Sequence, residues 1–281
     1  MTAKWIPNPD FDQSLHEHGG IDTLWSQIVD TYAAKDGTLL LSGEPFTRLE
    51  PAQVDFKELA KLLHPFEEVR LVYYARDPVA LTQSIWQEVA KSGRFPPIQR
   101  FVQRAISTGL ASGVPLDHNL VLDALEKGFA PDQISIFDYE TSKERPGGIL
   151  RALLSLTEGG LEAFETLEEI ARANTSPDPL TQVFATELTT PAPPSSAIYA
   201  AVHRALRKRC NNARTTIFTP AQITALEKNF VDRNQMFVER VRCQDPTFSL
   251  TPNRIDPQSY VTPKHIGPGI ASSIARQIYQ L

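Results

Sequence analysis

Residues 69–93, VRLVYYARDPVALTQSIWQEVAKSG, constrain the fold more than any other stretch of this chain. Val69–Tyr74 is β-branched and aromatic with little polar alternation, the pattern of a strand covered on both faces. Asp77 and Pro78 follow as a helix N-cap and a first-turn proline, and the helical pattern runs to about Lys91, stopping before Gly93. A buried strand that passes directly into a capped helix points to an α/β fold, because parallel strands need helices to cover them.

The flanking sequence extends that reading. Ile21, Leu24, Ile28 and Val29 fall at helical spacing and predict a helix at about 21–35, with Gly37 past its end. Thr38–Leu41 is a short apolar run between Gly37 and Gly43 and reads as a buried strand, followed by a helix at about 51–63 opened by Pro51. Strand, helix, strand and helix in this order imply a parallel sheet with a right-handed crossover. Further helices are expected at 97–110 and 117–128, a third strand at Ile134–Phe137, and a helix over Gly147–Leu156. No strand pattern is found after about 157, and helical patterns recur near 196–209 and 220–242. The expected organisation is a polar leader at 1–20, an α/β core at 21–157, a helical cap at 158–250, and a Pro-rich tail with a short terminal helix at 251–281.

Composition narrows the function. The 281 residues suffice for one large domain or about two small ones, each able to bury a real core. Lys and Arg number 28 against 33 Asp and Glu, so the formal net charge of −5 gives no bulk attraction to nucleic acid or to an anionic membrane. An anion site in such a chain has to be local. There is no run long enough for a membrane span and no signal-peptide core at the start, so a cytoplasmic protein is expected. Cys210 and Cys243 lie outside any Cys-x-x-Cys pattern and offer neither a disulfide scaffold nor a thiolate zinc site. Proline outnumbers glycine 22 to 14, which matters because glycine is what phosphate loops are made from.

The chemistry with the most support lies at Arg76 and Ser84. Ligands of open α/β sheets bind beyond the carboxyl ends of the strands, where Arg76 sits, and Ser84 comes two helical turns later. A guanidinium at a strand tip and a hydroxyl on the next helix can grip one phosphate. The same residues also read as an ordinary capped turn with a surface serine. Glu44, in LSGEPF after the first expected strand, is a carboxylate at another carboxyl end, and equally a loop residue capping a turn.

Strand, Arg-Asp-Pro, then Ser eight positions after the Arg resembles the 3′-phosphate-binding segment of sulfotransferases that use 3′-phosphoadenosine 5′-phosphosulfate (PAPS). The continuation WQEVAKSGR is similar to the helix end of bacterial carbohydrate-type members, TLLLSGEPFTRL to their Ser-Ser-Glu strand end, and RANTS to their Asn-x-Ser segment. LDHNLVLDALEKGFAPDQISIFDYE and TPAQITALEKNFVDRNQMFVERV extend the likeness over about 20–245, specifically at Arg76 and Ser84 and diffusely elsewhere.

The resemblance implies a three-layer fold like that of P-loop NTPases, with a short parallel sheet and a helix-rich C-terminal third. It also implies PAPS as donor, no metal, and a carbohydrate-like hydroxyl as acceptor. Arg76 and Ser84 would hold the 3′-phosphate, and Glu44 would be the base that takes the acceptor's proton as the new bond forms. Gly43 stands where the family usually has a second serine.

One departure is larger. The family opens with a strand and a Gly-rich, Lys-containing loop that holds the 5′-phosphosulfate, and residues 1–37 contain no counterpart. HIGPGIASSIAR, residues 265–276, resembles such a loop's opening but lacks its Lys-Thr-Gly core. The sequence therefore reads as a domain short of its first strand, with an open sheet position beside 38–41 that invites self-association. Two alternatives stay open: a truncated or non-catalytic relative that at most binds the 3′-phosphate of PAPS or of the desulfated nucleotide, and an unrelated Rossmann-like nucleotide-binding module. His16 and His18 with Asp12 form no recognisable metal set, and His64, His118, His203 and His265 are isolated in sequence. RALRKRC, residues 204–210, is a basic run on a helix, read as a solvated face that a polyanionic acceptor could also use.

Overall fold

The computed structural model describes residues 17, 19–50, 53–93, 96–167, 177–211, 213–256, 258–267 and 269–279. The main elements in chain order are α1 (Ile21–Tyr32), a 3-10 turn (Glu44–Thr47), α2 (Phe56–Leu63), β1 (Leu71–Ala75), α3 (Pro78–Ala90), α4 (Ile98–Thr108) and α5 (His118–Leu125). There follow β2 (Ile134–Asp138), α6 (Tyr139–Glu144), α7 (Gly148–Leu154), α8 (Gly160–Glu165), α9 (Pro179–Thr189), α10 (Ser196–Cys210), α11 (Pro220–Arg242) and α12 (Gly269–Tyr279). The fold is α/β and helix-rich. Its parallel sheet has two strands among the described residues, with Leu71 facing Ile134 and Ala75 facing Asp138.

The expected strand at 38–41 does not form. A strand needs a ladder, and no backbone hydrogen bond pairs this run with a neighbour among the described residues. Leu39, Leu40 and Leu41 are 36%, 53% and 43% exposed, so the segment that looked buried lies on the surface. The open sheet position expected beside it is therefore not there. The helix expected at 51–63 begins at Phe56, because Asp55 caps it by accepting hydrogen bonds from the N–H groups of Lys57 at 3.0 Å and Glu58 at 3.1 Å.

The chain divides into two compact units. The first comprises Met1–Arg76, Gly113–Leu167 and Arg233–Thr251; the second comprises Asp77–Ser112, Glu168–Asp232 and Pro252–Leu281. In the first unit, Phe56 and Leu59 of α2, Val121, Leu122 and Leu125 of α5, the sheet residues Ala75 and Ile134, and Phe237, Val241 and Phe248 form one apolar core. Phe56 meets Phe129 edge to face at 6.5 Å. Gly128 permits that approach, since a Cβ there would lie 2.0 Å from the Phe56 carbonyl oxygen.

In the second unit, Leu180 and Ala185 of α9, Val202, Ala205 and Leu206 of α10, and Ile270 and Ile274 of α12 form another core. Part of the Pro-rich C-terminal stretch is thus built into this unit: Val261 pairs with Thr215 in a single parallel bridge, and α12 packs on α10. Among the described residues no helix is long and apolar enough to cross a membrane.

Candidate functional site

Both strands of a parallel pair end at the same edge, so the residues after β1 and β2 emerge side by side. Arg76 follows β1, and Tyr139 and Glu140 follow β2. The Arg76 Nε donates to the Glu140 carboxylate at 2.8 Å, and its guanidinium carbon lies 4.7 Å from the centre of the Tyr139 ring. Lys143, one turn along α6, places its Nζ 4.0 Å from the other Glu140 oxygen and 5.8 Å from the same ring. Two cations thus surround one carboxylate, leaving a net positive charge beside an aromatic face. The Arg76 and Glu140 side chains are 22% and 20% exposed, half-sunk at the sheet edge. The Nη1 and Nη2 groups of Arg76 have no hydrogen-bond partner among the described residues, so a fork of donors is left for an anion.

The backbone beneath Arg76 is fixed by a buried network. The His118 Nε2 lies 2.8 Å from the Arg76 carbonyl oxygen, and its Nδ1 lies 2.6 Å from the Tyr73 hydroxyl. A carbonyl only accepts, so Nε2 carries the proton and Nδ1 accepts from Tyr73; the ring is neutral with both nitrogens satisfied. Burial pushes His118 down to about 4 and raises Tyr73 well above its ordinary value, so neither changes charge near neutral pH. Next to it on β1, Tyr74 donates to the Ile149 carbonyl at 2.9 Å, stacks on Phe137, and is pushed by burial up to about 12. The network holds the strand tip; it does not supply an acid or a base.

Asp138, the last residue of β2, caps α6. Its carboxylate accepts from the Thr141 N–H at 2.7 Å, the Thr251 hydroxyl at 2.6 Å and the Thr251 N–H at 3.0 Å. Burial opposes the charge, but the hydrogen bonds from Thr141 and Thr251 outweigh it and hold the carboxyl below its usual range.

The other residues singled out from the sequence fare differently. Ser84 is exposed on α3 and belongs to the second unit, whereas Arg76 ends the first segment of the first unit. Glu44 opens the 3-10 turn, and its side chain lies outside the described residues. Beside that turn Leu24, Trp25, Ile28, Leu40, Leu41, Ser42 and Phe46 line a largely apolar cavity of about 430 Å³. Asp12, His16 and His18 lie outside the described residues, as does the RANTS segment. The basic run at 204–210 ends α10, with Arg207, Lys208 and Arg209 in its last turn, where cations favour the helix dipole. Arg209 reaches Gly267 and Gly269, whose added Cβ atoms would come within 3.2 and 3.3 Å of its guanidinium. No group of three or more His, Cys, Asp or Glu side chains among the described residues is placed to hold a metal ion.

Sequence reasoning missed Tyr139, Glu140 and His118. The first two were within reach of the rule that found Arg76, since DYE follows the ISIF strand directly. His118 sits among Leu116, Val121, Leu122 and Leu125, an apolar spacing that signals a buried and satisfied ring. Comparison with protein-family models, with curated proteins and with solved structures returns no match.

Proposed function

We propose that the chain is a sulfotransferase-like protein that binds the 3′-phosphate of PAPS through Arg76. In the full reading it transfers the sulfuryl group to a carbohydrate-like hydroxyl, with Ser84 as a second phosphate ligand and Glu44 as base. The fold implied is the three-layer, P-loop-like one of that family. The observation that carries the reading is Arg76: at the carboxyl end of a parallel strand, with its backbone pinned by His118 and both Nη groups without a partner among the described residues. Bidentate donation from such a fork suits a phosphate dianion, and the net charge of the Arg76–Lys143–Glu140 cluster suits it as well.

A second reading is favoured by the Glu140 contact. A carboxylate already engages Arg76 at 2.8 Å, which makes Arg76–Asp77–Pro78 equally a structural turn, as in an unrelated Rossmann-like module or a relative without turnover. A bound phosphate has to share the guanidinium with that carboxylate.

Thermal unfolding with and without adenosine 3′,5′-bisphosphate separates the readings. At 100 times its dissociation constant a native-state ligand adds about 2.7 kcal/mol, a readily measured rise in Tm. The expected result is such a rise in wild type, loss of the response in Arg76→Ala, and a partial loss in Ser84→Ala. A flat wild-type response at millimolar nucleotide overturns the proposal. Where binding is present, transfer of labelled sulfuryl from PAPS to a panel of sugar acceptors tells the enzyme from the non-catalytic relative, and Glu44→Gln tests the base.

A further inference from the structure

The outer edge of β2 is bordered by a groove of about 570 Å³. Four consecutive β2 residues, Ile134 through Phe137, line it. Successive side chains of a strand point to opposite faces, so a cavity that touches all four runs along the edge of the strand and not across one face. β2 pairs with β1 on its other side only; the Ile134 N–H donates to the Pro131 carbonyl, and along Ser135–Phe137 no backbone bond other than those to β1 is found among the described residues. Apolar walls come from Leu122, Leu156 and Val241.

The rim is acidic. Glu126, Asp132 and Asp245 are exposed along it, and Arg240, the one cation that lines the groove among the described residues, is already engaged: its Nη1 meets Asp123 at 2.8 Å and its Nη2 meets Glu126 at 2.9 Å. Hydrogen bonds from the Thr247 hydroxyl and N–H hold Asp245 below the usual carboxylate range, so it stays ionised in neutral solution.

We propose that the free edge of β2 is a docking strand for an extended basic segment of a partner protein, which adds to the sheet through backbone hydrogen bonds and sets Lys or Arg against Asp132 and Asp245. At about 3.3 Å per residue the edge accommodates roughly five residues of such a segment. Charge selects this occupant over a second copy of the chain, because β2 against β2 would bring the same acidic rim onto itself. The inference stands apart from the nucleotide site and does not depend on it.

The test uses the full chain with an acetylated, amidated octapeptide of alternating Lys or Arg and Val. Its controls are the same peptide with Glu at every basic position and one with Pro at every Val. With the basic peptide at ten times its dissociation constant, exchange of the outward amides of β2 beyond Ile134 slows by about tenfold. The acidic and proline peptides leave it unchanged, and Asp132→Asn weakens basic-peptide binding about threefold. Three results overturn the proposal: no slowing at saturating basic peptide, equal binding of the proline peptide, or a concentration-dependent dimer whose β2 amides are protected with no peptide present.

Discussion

Asp77 and Asp138 share one task at the ends of the two parallel strands. Asp138 ends its strand of the parallel pair and Asp77 comes two residues after the other, each caps the next helix, and their exposures, 8% and 7%, are nearly equal. Their acidities move in opposite directions. Burial raises Asp77, against hydrogen bonds from the Val79, Ala80 and Asn253 N–H groups and with Glu227 adding a like charge. Asp138 bears a burial penalty too, yet Thr141 and Thr251 bring it below the usual range. The Asp77 carboxyl lies deeper among protein atoms than that of Asp138, so burial weighs more heavily on it, and donor supply and depth together decide the charge. Asp138 has a short hydroxyl bond that Asp77 lacks, and Asp77 faces a second carboxylate that Asp138 does not.

The largest effect is expected from removing the better satisfied cap. Asp138→Ala strands the Thr141 and Thr251 N–H groups and leaves the Thr251 hydroxyl only its 3.1 Å contact with the Thr141 hydroxyl, where all three now bond to a charged acceptor. The expected loss is about 4 kcal/mol, seen as a lower urea midpoint at pH 7. Because the folded pKa is depressed, this contribution is present above the ordinary carboxylate pKa of about 3.9 and fades as pH falls through the depressed value. A loss under 1 kcal/mol would mean that water replaces the carboxylate, and the contrast with Asp77 would vanish.

His118 adds a further acid-dependent contribution. Its folded pKa of about 4 lies below the unfolded value of about 6.5, so the unfolded chain binds the extra proton first as pH falls. Its contribution is whole above about pH 6.5 and is lost toward pH 4. Two and a half pK units correspond to about 3 kcal/mol. His118→Gln, which keeps a donor for the Arg76 carbonyl, is expected to flatten stability between pH 6.5 and 4 while leaving the Asp138 decline below pH 4 intact. An unchanged slope would assign the acid sensitivity to other groups.

These pairs explain what the sequence could and could not announce. VRLVYY and ISIF were legible as strands, and the Asp77–Pro78 cap as a helix start, because period, β-branching and capping are local properties. TLLL was locally just as strand-like, yet a strand is completed by a neighbour's backbone, and no local pattern reports whether one comes alongside. Arg76 could be placed at a strand tip by counting. Its ion pair with Glu140, 64 residues away, and the approach of Thr251 to Asp138 over 113 residues depend on register and packing, to which local spacing is blind.

The smallest expected effect is the most discriminating. Asn caps helices about as well as Asp, so Asp77→Asn keeps an oxygen for the Val79 and Ala80 N–H groups while removing the charge that burial and Glu227 oppose. A raised folded pKa contributes stability that is complete below the unfolded value and is lost as pH rises through the folded one. The variant is therefore expected to gain on wild type between pH 3 and pH 7 by about 0.5 kcal/mol, a modest figure because the lost charge also favoured the N-terminus of α3. Chemical denaturation of both proteins at the two pH values measures the difference. If wild type instead gains toward pH 7, the helix dipole and three backbone donors outweigh burial at Asp77. Donor supply would then leave both caps ionised for the same reason, and the Thr251 hydroxyl would not be what sets Asp138 apart.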